Sequence, residues 1–152
     1  MTPESPRICG PCATCCYIPA VPVLKKPCNS LCGNSSAAGC GIYPERPSEC
    51  RAYACLWLDS DLGEASDRPD LLGLMFDRPS LVEDHADYAD VPFVCAREAW
   101  PGARDGRRAA ELLTRFSRAW VVRLTGHDGK TTLFGPRSLI DLLVSRAAAR
   151  AR

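Results

Sequence analysis

The chain has 152 residues, long enough to bury a core and short enough for one domain or a small domain joined to a second. With 46% hydrophobic and 24% charged residues its composition is that of an ordinary globular protein, and no stretch approaches the roughly 18 apolar residues of a membrane span. The net charge of +1 withholds the overall basic balance of a nucleic-acid-binding chain.

That small net charge hides segregation. Residues 1–58 carry five basic and three acidic side chains, residues 59–96 ten acidic against Arg68 and Arg78, and residues 97–152 twelve basic and five acidic. The expectation is an acidic middle folded against a basic tail within one molecule. The tail lacks interleaved aromatics and a recognised motif, so neither nucleic acid nor a membrane is expected as a partner.

Residues 1–7 contain no apolar run of signal-peptide length, which points to the cytoplasm, where thiols stay reduced. Nine of the ten cysteines then fall within the first 55 residues. Four of them, Cys9, Cys12, Cys15 and Cys16, read C-x-x-C-x-x-C-C. So many thiols in so little chain are either disulfides or metal ligands, and the compartment favours metal. Residues 1–58 also hold eight of the thirteen prolines and four of the eleven glycines without helical or alternating periodicity. Such a segment cannot keep its shape through a hydrophobic core alone, so either ligation fixes it or it is disordered.

Cys9, Cys12 and Cys15 are spaced so that three thiolates can turn inward on one irregular loop. Bacterial ferredoxins begin with this spacing and take a fourth cysteine from elsewhere, although no Cys-Pro follows here after three intervening residues. Cys15 and Cys16 are neighbours whose side chains diverge, which calls for a second site or a shared thiolate. Cys28, Cys32, Cys40, Cys50 and Cys55 complete the candidate metal ligands. No histidine precedes His85, and an all-sulfur donor set favours four-thiolate zinc, an iron–sulfur cluster or Cu(I). Nine thiols match two such centres with one to spare. Of the cations in this region, Arg46 and Arg51 are expected near the thiols, Arg51 because it follows Cys50 directly, and Lys25 and Lys26 are expected to be solvated.

Residues 53–58 form a short apolar run that suits a helical turn or a strand, and residues 59–69 read as a polar hinge. Residues 71–76 and 91–100 read as strands bounded by Asp, Pro and Gly. Residues 107–120 have apolar residues at helical spacing, and 120–125 with 131–134 read as a hairpin around an Asp-Gly turn. Residues 138–150 form an amphipathic helix with Leu139, Ile140, Leu143, Val144 and Ala147 on one side, its arginines gathered where they suit the helix dipole. The fold class is therefore α+β: an irregular, metal-stabilised cysteine-rich module (1–58) packed on a small sheet-plus-two-helix region (59–152) as one compact unit.

Residues Cys12 to Cys16 (C-x-x-C-C), Cys28, the stretch G-C-x-I-Y-x-x-R-P-x-x-C-R from Gly39 to Arg51, and Cys55, Trp57 and Leu58 resemble the bacterial C-x-x-C-x-x-C-C cysteine-cluster family. Its members are labelled zinc- or iron-chelating, or iron–sulfur-cluster, proteins. The resemblance covers residues 9–58. It implies ligation through Cys12, Cys15, Cys16, Cys28, Cys40, Cys50 and Cys55, with Cys9 matching the longer form of the opening motif and Cys32 a position used in some relatives.

Elsewhere the simpler readings prevail. Cys95 is expected as a small buried core residue, His85 and His127 as solvated, and Trp57, Trp100 and Trp120 as core anchors, Trp57 with a second reading as a shield over the metal. Asp59, Asp61 and Glu64 lack the spacing of an EF-hand, and no P-loop, nucleophile elbow or dinucleotide fingerprint is present. No catalytic residue is assigned. Two functions remain open: an iron–sulfur protein with redox or cluster-dependent chemistry and a protein or redox partner, and a zinc-binding structural or interaction module or metal chaperone without catalysis.

Overall fold

The computed structural model describes residues 7–59, 62–78 and 85–152. The chain is an α+β protein, as its pattern predicts. It divides into two compact units, Met1–Leu71 and Leu72–Arg152.

Among the described residues the elements of the first unit are short: α1 (Thr14–Tyr17), the two-residue strands β1 (Ser35–Ser36) and β2 (Gly39–Cys40), which pair antiparallel, and α2 (Ser48–Ala52). Ile18, Val21, Leu56, Trp57 and Leu62 are its buried large apolar side chains. Polar staples supplement them. The guanidinium of Arg7 donates to the carbonyls of Trp57 (2.7 Å), Leu62 and Gly63 and lies 5.0 Å from the centre of the Trp57 ring. Trp57 donates its indole N–H to the Glu64 carbonyl at 3.0 Å, and so serves as an anchor of this unit. Of the alternatives for residues 53–58, the turn is observed, with the Asp59 N–H bonded to the Cys55 carbonyl at 3.1 Å.

The expected strand over 71–76 is corrected at its start. Leu71 and Leu72 close a helical turn, α3 (Pro69–Leu72), and the strand β3 begins at Leu74 (Leu74–Asp77). Proline at the first position presets the helical φ, and Gly73 ends the turn in the left-handed region at φ +78°. A side chain at Gly73 would also collide with the Trp100 ring.

In the second unit β3, β4 (Phe93–Glu98), β5 (Val121–Thr125) and β6 (Thr131–Phe134) form one sheet in that order. The β3–β4 and β5–β6 pairs are antiparallel and β4–β5 is parallel, so a crossover through α4 (Arg107–Ser117) joins the last two. The β5–β6 hairpin closes where the sequence predicts, Gly129 donating to the Gly126 carbonyl at 2.9 Å. Both sheet faces are covered. On one, Phe76 meets Phe116 of α4 with ring centres 5.2 Å apart. On the other, Phe93, Cys95 and Val121 pack with Leu143 of α5 (Arg137–Arg150), and Leu139 and Ile140 close the edge.

Cys95 is a core residue as expected, 2% exposed, and burial pushes its thiol up to about 12. Several other expectations are corrected. Trp100 and Trp120 are 43% and 36% exposed, each just beyond an element's end, Trp100 beside Gly73 and Trp120 in an edge arrangement with Phe116, ring centres 6.2 Å apart. Val144 and Ala147 of α5 face solvent, leaving a narrower apolar stripe. His127 is half-buried, and its backbone N–H donates to the Glu98 carboxylate at 3.1 Å. The side chain of His85, and Asp61, lie outside the described residues.

Acidic middle and basic tail do meet within this unit. Arg146 grips both oxygens of Asp90 (2.7 and 2.9 Å), Arg150 pairs with Asp87, and Arg97 with the buried Asp77 at 3.1 Å. Among the described residues no helix is long and apolar enough to cross a membrane.

Candidate metal centre

The first unit folds around its thiols. The Cys12 N–H bonds to the Cys9 carbonyl at 3.0 Å, closing a tight turn that delivers the chain into α1. A four-residue helix leaves its last carbonyls without intrahelical partners. Here residues 29–32 supply them: Asn29 donates to Ile18, Ser30 to Tyr17 and Cys32 to Cys16, at 3.0, 3.2 and 2.9 Å. Capping the helix thus brings Cys32 beside Cys16. The β1–β2 hairpin follows, with Ser35 opposite Cys40. Its Gly39, at φ +105°, approaches the Cys9–Cys12 turn so closely that any Cβ would run into the Gly10 carbonyl. Cys50 lies within α2, and Cys55 at the start of the turn that follows.

The pKa values of Cys9 and Cys16 are lowered, Cys15 being the first cause in each case and burial opposing it, while Cys16, Cys9 and burial push that of Cys15 up. Tyr43 and Arg46 further favour the Cys9 thiolate, and Ser35 that of Cys16. Arg46 lies 3.8 Å above the centre of the Tyr43 ring, and its buried Nε has no hydrogen-bond partner among the described residues. Burial raises the pKa of Cys12, whose sulfur is 3.6 Å from the Thr14 hydroxyl, and lifts Cys55 to about 11, the neighbouring Cys12 and Cys9 adding to the rise. Cys50 is raised by burial and by Cys16, Cys32 and Cys40. Asn34 reaches the Cys32 sulfur at 3.8 Å.

All ten cysteines are free thiols. Of the nine candidates, Cys12 and Cys32 are buried, Cys28 is exposed, and the others are half-buried. Cys28 stands at the surface, within electrostatic reach of Lys26. Among the described residues no group of three or more His, Cys, Asp or Glu side chains stands ready-made to hold an ion. The donor set itself, sulfur throughout, suits a soft or borderline metal.

The cations are arranged otherwise than expected. Arg51 is exposed, because consecutive positions of α2 point about 100° apart and Cys50 occupies the inward one. Lys26, expected in solvent, is 6% exposed. Its ammonium spends its three donors on the carbonyls of Tyr17, Pro19 and Pro27, at 2.9, 2.5 and 3.0 Å, and it acts electrostatically on Cys28, Cys32, Cys16 and Cys15. Lys26 and Tyr43 are the contributors that reading by spacing misses. Tyr43 had a signal, since it stands in the G-C-x-I-Y-x-x-R-P stretch; Lys26 had none.

Compared with protein-family models, with curated proteins and with solved structures, the chain finds no match.

Proposed function

We propose that this chain is a cytoplasmic metal-binding cysteine-cluster protein whose first unit holds iron–sulfur through cysteine thiolates, for redox or cluster-dependent chemistry with a protein or redox partner. The observation that carries this reading is the concentration of nine free thiols in the first 55 residues, with the buried ammonium of Lys26 and the Arg46 guanidinium acting electrostatically on them. Metal thiolate centres carry negative charge, and fixed cations beside them offset it. The Arg46 Nε, desolvated and without a partner among the described residues, fits an anionic neighbour. Ten free thiols suit a reducing compartment. The resemblance to the C-x-x-C-x-x-C-C family points the same way.

A zinc-binding structural or interaction module, or a metal chaperone, is the second reading. It is favoured by the described elements of the first unit, none of them longer than five residues, which would leave ligation to supply folding energy. Anaerobic purification, with a visible spectrum and iron, zinc and sulfide analysis, separates the two. Iron matched by sulfide, with broad visible absorption, is the expected result. A colourless protein carrying zinc would replace the first reading with the second, and a protein that takes up neither metal would end both.

A further inference from the structure

We propose that the outer edge of β6 pairs antiparallel with β6 of a second copy of this chain, so that two four-stranded sheets join into one. The surface belongs to the second unit and is independent of the metal-binding reading above.

The two edges of the sheet differ. Every residue of β3 is buried, whereas Thr131, Thr132 and Leu133 of β6 are exposed and Phe134 is half-buried. The hairpin fixes which backbone groups of β6 face outward. Gly126 donates to the Lys130 carbonyl at 2.8 Å, which makes Gly126 and Lys130 a hydrogen-bonded pair. Bonded and non-bonded pairs alternate along an antiparallel ladder. Thr125 opposite Thr131 and Arg123 opposite Leu133 are therefore non-bonded pairs. The backbone N–H and C=O of Thr131 and Leu133 thus point away from β5, and among the described residues no backbone group meets them.

An edge of this kind recruits a strand, and β6 matches itself. With Thr132 on a twofold axis, Thr131 lies opposite Leu133 of the second copy and Leu133 opposite its Thr131. Each of those pairs then exchanges both of its backbone bonds. The charges agree with this register. Residues 131–134 are uncharged, and the flanking cation Lys130 falls opposite Phe134 of the second copy, so the two lysines stay at opposite ends. A parallel pairing would set them side by side. Neither outward position carries a charge or a proline to block pairing; Lys130 and Pro136 lie beyond the strand and confine it to these residues. Leu133, 37% exposed, gains the cover of the facing Thr131. It shares the sheet face of Arg123 and Cys95, which α5 covers. A twofold axis normal to the sheet therefore sets both α5 helices on the same side, where each leaves Leu142 and Val144 exposed.

The test uses the full chain, purified anaerobically and kept under reductant so that no disulfide links two copies. Sedimentation velocity over a dilution series should show a species of twice the chain's mass that dissociates on dilution. The amides of Thr131 and Leu133 have no acceptor in the single chain. In the dimer their hydrogen exchange should be at least about tenfold slower than in the dilute monomer. Leu133→Pro removes an outward N–H and leaves the bonds to β5 in place, so it should be monomeric with an unchanged far-UV circular dichroism spectrum. Thr132→Arg sets two guanidinium groups together on the axis and should also be monomeric, which keeps the test open should Leu133→Pro fail to fold. A wild-type chain that stays monomeric at its highest soluble concentration would overturn the proposal. So would a dimer whose Thr131 and Leu133 amides exchange freely, or folded variants that remain dimeric.

Discussion

Lys26 shows what a single residue contributes to this site. Burial disfavours its charge, and three main-chain carbonyls hold the ammonium in place. Replacing it with methionine preserves length but leaves those carbonyls without their donor. At about 1–3 kcal/mol for each buried polar group left unpaired, less where water enters, Lys26→Met is expected to destabilise the first unit by about 2–4 kcal/mol, read as a lower midpoint in urea unfolding followed by Trp57 fluorescence. Lys26→Arg should recover part of the loss, since a planar guanidinium does not reproduce the compact three-donor geometry. An unchanged midpoint in Lys26→Met would mean the carbonyl contacts stabilise nothing. The thiols were legible in the sequence because their number and spacing admit few explanations. The cation was not, because the choice between Lys25 and Lys26 is made by backbone conformation. Lys25 adopts φ 52° at the end of the turn Pro22–Leu24 and stays exposed, while Lys26 turns inward through its bridge to Val21.

Among elements, the second unit is tied together at Glu98, the last residue of β4. Its carboxylate accepts from the backbone N–H, Nε and Nη2 of Arg104 (3.0, 2.9 and 2.8 Å) and from the His127 N–H in the hairpin loop. The Arg104 guanidinium, with those backbone donors, holds the Glu98 pKa down from 4.5 to about 2. A carboxylate depressed in the folded state stabilises fully above its unfolded pKa and loses that contribution as pH falls through the folded value. Glu98→Gln should therefore cost about 2 kcal/mol at pH 7, discounted from the full shift because Arg104 is about one-third exposed. The wild-type advantage in urea unfolding should shrink between about pH 4.5 and pH 2; a pH-independent difference would show that packing, not charge, is responsible. Gly73 governs another junction. Gly73→Ala places a side chain at positive φ and against Trp100, so a loss of about 1–3 kcal/mol is expected, and a neutral substitution would mean the ring moves aside at no cost. The central strands and both long helices were legible from period and turn chemistry. The start of β3 was not, because Leu71 and Leu72 are equally apolar as helix end or strand start, and Pro69 and Gly73 decide between them only through conformation. The part-exposed tryptophans were illegible for a related reason: composition marks a large apolar ring, not how much of it finds a neighbour.

At the scale of the molecule the two units are held by different physics. The second buries Leu74, Met75, Phe76, Val94, Leu112, Val121 and Val122 almost completely. Among the described residues of the first, Leu62 is the large apolar side chain buried to that degree; Ile18, Val21, Leu56 and Trp57 are buried less completely, and Arg7, Lys26 and backbone bonds around the thiols add to them. This asymmetry was already visible in the prolines, glycines and aperiodic pattern of residues 1–58. A unit so poor in apolar burial gains most from a ligand that binds only its folded form, because binding free energy adds directly to folding free energy. Stripping the anaerobically purified protein of metal with a chelator under reductant should therefore open the first unit alone. Amides of Cys12, Cys16 and Cys32 should exchange at least tenfold faster with deuterium, while those of β4 and β5 keep their protection. Restoring metal should return the slow exchange. Equal protection before and after stripping would mean the staples suffice without metal, and loss of protection in β4 and β5 as well would mean that the sheet depends on the same ligand.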